Sequence, residues 1–297
     1  MQATQVSFIT SDRFKLYGLW YAAGASKGLA IYIHGAGDSN ILRKGELLVA
    51  LAETLEPKNY DVMAFNNRGA GYVSRVKKYD EQGNEIDKVM SGMAYERIAD
   101  CTKDIDAAID WALENGYESI ALIGHSTGAN KAVIYANSGS SRLKYVAKLF
   151  LLSGGDDITL QNSRLSDPDK YLSGVKAVVE SGGANRIVPE DNFPGEHPIT
   201  YGSLLELIEE HSDYDIFPFG RYDQANQKHF ELYKKINIPT IVIYGSEDFG
   251  TVIEVDDALT LLSALNKQTT SISIKGADHG FTNKDKELAV AIANELK

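Results

Sequence analysis

The 297-residue chain predicts an α/β fold, a doubly wound and mostly parallel sheet with an antiparallel N-terminal hairpin and a helical cap insertion. Three observations carry this reading. Short, nearly continuous apolar runs of strand length alternate with stretches whose apolar residues recur at helical spacing, as expected of parallel strands covered on both faces and joined by right-handed crossovers. The first two apolar runs flank a short turn instead. A long segment rich in proline, acidic and aromatic residues then interrupts the alternation late in the chain.

Residues 6–10 and 16–21, on either side of Ser11-Asp12-Arg13, read as a hairpin at the sheet edge. The parallel strands are expected at 29–33, 61–65, 120–123, 147–152, 240–244 and 270–274. Between them Leu47, Leu48, Leu51 and Leu55 repeat at helical spacing, as do Ile98, Cys101, Ile105, Ile109 and Ala112, and later Leu288, Ile292 and Leu296. Within 74–92, Gln82-Gly83-Asn84 invites a turn, which predicts a surface hairpin rimming the site. The interrupting segment, 156–236, holds Pro168, Pro189, Pro194, Pro198 and Pro218, with aromatics at Phe193, Tyr201, Tyr214, Phe217, Phe219, Tyr222 and Phe230. We expect it to form a mostly helical cap lining a substrate pocket, with residues 1–155 and 237–297 as the core.

Composition removes several classes of function. The formal net charge is −11 and no basic run exceeds Lys77-Lys78 or Lys234-Lys235, so nucleic acid is not an expected partner. The single cysteine, Cys101, permits no intramolecular disulfide and suits a reducing compartment. The first residues lack the basic and apolar regions of a secretory signal, and no stretch reaches 18 uninterrupted apolar residues, so a cytoplasmic protein without a membrane span is expected. Oligomeric state is open. Gly35-Ala36-Gly37 follows a strand, but the third glycine of a dinucleotide loop is replaced by Asn40, and no Walker lysine motif occurs.

The chemistry concentrates at strand ends. The apolar run 120–123 feeds into Gly124-His125-Ser126-Thr127-Gly128, the pattern of a strand turning sharply into a helix with a serine at its apex. Ser126 is the candidate nucleophile, and Gly124 and Gly128 leave room for the turn. An acid and then a histidine should follow, each after a later strand. Asp248 follows 240–244 and His279 follows 270–274. Glu247 beside Asp248, and Asp156 or Asp157 after 147–152, are alternative acids. The loop His34-Gly35-Ala36-Gly37 has the form that supplies one oxyanion-hole N–H, here that of Ala36, and Thr127 at the helix start would supply the second. His34 is expected to shape this loop and His125 to pack beside the elbow. His197, His211 and His229 read as solvated or pocket polar residues, and no acidic run has calcium-loop spacing.

Taken in order and approximate spacing, these motifs resemble those of serine hydrolases of the α/β-hydrolase fold, over nearly the whole chain. Asn67-Arg68-Gly69-Ala70-Gly71 is similar to a turn common in that superfamily, with Asn66 where its leading Asp would stand. The Gly-His-Ser-Thr-Gly variant is also similar to microbial hydrolases that include siderophore-type esterases. The resemblance implies a serine esterase acting on a small-molecule ester and needing no metal or organic cofactor. The same residues could serve acyl transfer, amide or C–C bond hydrolysis, or persist in a non-catalytic binding protein.

Overall fold

A computed structural model describes residues 2–22, 24, 26–37, 39–190, 195, 197–223 and 229–296. Eight strands form one sheet in the order β1-β2-β4-β3-β7-β8-β9-β10. They are β1 (Ala3–Ile9), β2 (Lys15–Tyr21), β3 (Gly28–Ile33), β4 (Tyr60–Phe65), β7 (Ser119–His125), β8 (Val146–Leu152), β9 (Thr240–Gly245) and β10 (Thr269–Ile274). The hairpin β1–β2 is antiparallel and joins β4 in antiparallel register, while every pair from β4 to β10 is parallel. The chain therefore has the α/β-hydrolase fold class that its sequence predicts.

Strands β3, β4 and β9 are buried along their whole length, so their side chains alternate between two cores. Leu29, Ile31 and Ile33 enter the core beneath α2 (Cys101–Glu114), α3 (Thr127–Ala136) and α8 (Val255–Leu265). Ala30 and Tyr32 enter the core beneath α1 (Gly45–Leu55) and α9 (Asp285–Glu295). Each fully buried Leu or Ile contributes about 1.5–3 kcal/mol, which makes the two cores the main source of stability. The parallel strands all end on one edge, where loops from different crossovers meet.

Three placements depart from expectation. Ile98 does not join the apolar face of α2; it lies in a preceding turn and packs with Val175, Ile199 and Leu204 of the insertion. Phe217, Phe219 and Phe230 do not line a pocket. They are buried in the main core with Tyr233 and Tyr244, anchoring the insertion to the sheet. The hairpin β5 (Ser74–Tyr79) and β6 (Glu85–Ser91) forms as expected, but its far end contacts the β1–β2 turn, where Arg13 pairs with Glu81 at 2.7 Å. At its base, Met93 Sδ accepts the Gly37 N–H at 3.2 Å, beside the strand ends.

Between β8 and β9 the chain forms α4 (Asp157–Asn162), α5 (Pro168–Val178), α6 (Tyr201–Ile208) and the short α7 (Glu231–Lys234), of which α5 and α6 share a small core with Ile98. Asp191, Phe193 and Pro194 lie outside the described residues.

Arg68, in the loop after β4, ties three elements together. Its guanidinium and backbone N–H bond the buried Asp104 of α2, and its two terminal nitrogens bond Asp12 of the β1–β2 turn at 3.0 and 3.2 Å. Asn66 accepts the Ile41 N–H at 2.9 Å and so fixes the loop after β3. Burial alone would raise the Asp12 carboxyl, but bonds from Arg68 and Thr10 hold it down to about 2. A carboxylate depressed in the folded state stabilises above its ordinary pKa near 3.8, and that stability is lost as pH falls through the depressed value. Asp12→Asn should therefore remove about 1 kcal/mol at neutral pH, solvent screening this partly exposed pair, and flatten the acid loss between about pH 4 and 2, read from denaturant midpoints.

Candidate active site

Ser126 ends β7 and begins α3 with φ 56° and ψ −129°, backbone space that residues other than glycine seldom occupy. The strain, of order 1–3 kcal/mol, is held by the strand on one side and the helix on the other. The Ser126 N–H donates to the Leu152 carbonyl of β8, and its carbonyl accepts from Ala129, both at 2.8 Å. The close passage explains the two glycines. A Cβ on Gly124 would strike the Gly128 carbonyl, and one on Gly128 would strike the Ile33 carbonyl of β3.

His279 lies in the loop after β10 with Nε2 3.0 Å from Ser126 Oγ and Nδ1 2.8 Å from Asp248 Oδ1. These contacts assign the proton to Nδ1, which donates to the carboxylate and leaves Nε2 to accept from the serine hydroxyl. The imidazole is partly exposed while the Asp248 carboxyl is fully buried, so the ring faces solvent and its partner does not. Asp248 Oδ1 also accepts the Gly250 N–H at 2.8 Å. Burial pushes the Asp248 carboxyl up, but the bond and charge of His279 and the Gly250 amide outweigh it and hold the group below the usual carboxylate range. It is the ionised form that orients the ring.

The alternative acids stand elsewhere. Glu247 is exposed. Asp156 accepts from Thr159 and Gly220 and pairs with Arg221 at 3.2 Å, closing the start of α4. Asp157 is buried, which pushes its carboxyl up to about 6, and it makes no hydrogen bond to His279.

The loop after β3 lies against the serine. A Cβ on Gly35 would come within 2.9 Å of Ser126 Cβ and 3.3 Å of Oγ, so glycine is required for the approach. His34 is buried, and its Nδ1–H donates to the Gly35 carbonyl at 2.8 Å while Nε2 accepts the Asn67 N–H at 3.1 Å. Burial, helped by the charge of Lys131, holds its pKa down to about 3, so the ring stays neutral in that tautomer. Fixing the Gly35 carbonyl fixes the peptide plane, and in a trans peptide the Ala36 N–H points the opposite way. Among the described residues neither the Ala36 nor the Thr127 N–H meets a protein acceptor. Gly37, at φ 78°, completes the turn.

His125 holds the loop that carries His279. Its Nε2–H donates to the His279 carbonyl at 2.8 Å, and burial, with the nearby charges of Lys44 and His279, holds it neutral with a pKa of about 3. Phe249, 65% exposed, packs its ring 4.9 Å from the His279 ring at the rim.

Sequence reasoning missed the support beneath the loop after β3. Asn67 holds His34 by two bonds, Lys131 Nζ donates to Asn67 Oδ1 at 3.1 Å, and Lys131 pairs with Glu96 at 2.6 Å in full burial. A lysine on the apolar face of the helix following the serine was the one available signal.

Solved structures similar to this chain share its fold. Esterase Est1E from Butyrivibrio proteoclasticus, solved with ferulic acid, aligns at 14% identity and TM-score 0.64 over 97% of both chains. Esterase Pf2001 from Pyrococcus furiosus aligns at 17% identity and TM-score 0.55, over 99% of this chain and 91% of that one. An alpha-beta serine hydrolase homologue from Coxiella burnetii aligns at 13% identity and TM-score 0.55, over 100% and 99%. Among curated proteins none matches. A family model described as "Protein of unknown function (DUF1749)" matches residues 84–295.

Proposed function

The chain belongs to the family described as Protein of unknown function (DUF1749), and we propose that this member is a serine esterase cleaving a small to medium carboxylic ester through an acyl-serine intermediate. One observation carries the reading: the continuous bonded path from Ser126 Oγ through His279 to Asp248, with separations of 3.0 and 2.8 Å.

A serine hydroxyl is a poor nucleophile at neutral pH, so its proton must leave as it attacks the ester carbonyl. His279 Nε2 takes that proton, and Asp248 stabilises the imidazolium that forms. The carbonyl oxygen, now anionic, is held by the N–H groups of Ala36 and Thr127, the latter at the positive end of α3. His279 then returns the proton to the leaving alcohol, and water activated by the same ring releases the acid. His34 and Asn67 keep the first donor aimed, and His125 keeps the base in place.

Two measurements test this reading. Short-chain p-nitrophenyl esters should turn over far faster than the matching anilides, with water as the acceptor. Preferential transfer to added alcohols or amines would move the assignment to acyl transfer, and no turnover of any ester would overturn it. Gly35→Ala, whose Cβ would meet Ser126 Cβ at 2.9 Å and the His125 carbonyl at 3.0 Å, should displace the Ala36 N–H, lowering kcat/KM by about 100-fold or more and the thermal midpoint with it.

A further inference from the structure

We propose that His211, Asp215 and His229 form a binding site for a divalent transition-metal ion of the zinc class, outside the triad and within the insertion. The sequence gives no hint of it, because the two histidines stand 18 residues apart in no recognised ligand spacing. Folding brings them together. One imidazole nitrogen from each histidine and one carboxylate oxygen of Asp215 all lie within 4.8 Å of one another. The two rings are nearly parallel, 10° apart, with centroids 5.9 Å from each other.

Two nitrogens and one oxygen suit Zn²⁺, Co²⁺, Ni²⁺ or Cu²⁺, whereas Ca²⁺ and Mg²⁺ demand oxygen-rich shells. Bonds of about 2.0–2.2 Å in a tetrahedron place ligand atoms about 3.5 Å apart, so each of the three need move inward by less than about 1 Å. His211 is exposed, which leaves the fourth position to water and gives the ion a way in.

Two further features fit a ligand set. A ligating carboxylate ordinarily carries outer hydrogen bonds that fix its direction. Here Arg221 grips both Asp215 oxygens at 2.7 and 3.1 Å, and its Nε bonds Thr159 of α4 at 3.0 Å. His211 also sits in the left-handed region, at φ 65°, with its N–H bonded to Asp215 Oδ2 at 2.8 Å. That strained conformation brings its ring back over the carboxylate. The guanidinium opposes a cation by repulsion, which predicts a moderate affinity.

The site is tested on the full chain without an added histidine tag, by titrating ZnCl₂ with MgCl₂ as the control. Wild type should bind about one zinc ion per chain, raise its thermal midpoint by about 5 °C at a hundredfold excess over Kd, and ignore magnesium. His211→Ala with His229→Ala should abolish both effects. Asp215→Asn should weaken binding at least tenfold. Co²⁺ loaded into wild type should give the visible absorption of a four-coordinate site. Absence of zinc uptake, or uptake unchanged in the double variant, would overturn the proposal, as would a six-coordinate cobalt spectrum. None of these readouts depends on ester hydrolysis.

Discussion

Ser126→Ala is expected to reduce kcat/KM on an aryl ester by about 10⁴-fold or more, equivalent to roughly 5 kcal/mol of transition-state stabilisation. In the proposed mechanism Ser126 is the group that takes the acyl carbon, and His279 and Asp248 act only on the proton that it loses, so with the hydroxyl gone they have no proton to move. The oxyanion donors remain, and water attacking directly would leave a residual rate above the uncatalysed one. The fold should be unaffected, because the contacts that hold residue 126 come from its backbone to Leu152 and Ala129. A variant with a near-normal thermal midpoint and retained ester turnover would mean that the chemistry lies elsewhere.

Lys131→Met should be the most damaging single change to stability, at about 3–5 kcal/mol. The ammonium is fully buried and stands 2.6 Å from Glu96 Oε1, a carboxylate only 2% exposed, so its removal leaves an uncompensated charge in the interior. Apolar packing by the methionine cannot offset that. Replacing both partners, Lys131→Met with Glu96→Gln, should recover at least half of the loss, because no charge is then left alone. Activity should not recover in parallel. Asn67 loses its Lys131 donor in both variants, and Asn67 is what fixes His34 beneath Gly35. Equal stability of the single and double variants would show that the pair is not coupled.

The strands were legible because burial on both faces makes them continuous apolar runs, and apolar runs of four to six residues between turn-forming segments have few other uses. Ser126, Asp248 and His279 were legible for a related reason: parallel strands deliver their ends to one edge, so order along the chain translates into proximity. The insertion was legible as a mostly helical segment between two strands, but its packing was not. Its helices pack on one another and on Ile98 through contacts far apart in sequence, which no local period encodes. Phe217, Phe219 and Phe230 looked like pocket residues because aromatics beside prolines suit both a cap and a core, and only the path of the chain decides between them. Lys131 and Glu96 are separated by 35 positions, and His211 and His229 by 18, distances at which a single sequence gives no pairing signal.

The most direct measurement of the central claim is mass spectrometry of the folded protein after exposure to a fluorophosphonate, which traps a serine only where a base has activated it. The account predicts one adduct, on the peptide carrying Ser126, absent in Ser126→Ala and formed at least a hundredfold more slowly in His279→Ala. An unlabelled Ser126 in folded wild type, or labelling indifferent to His279, would contradict it.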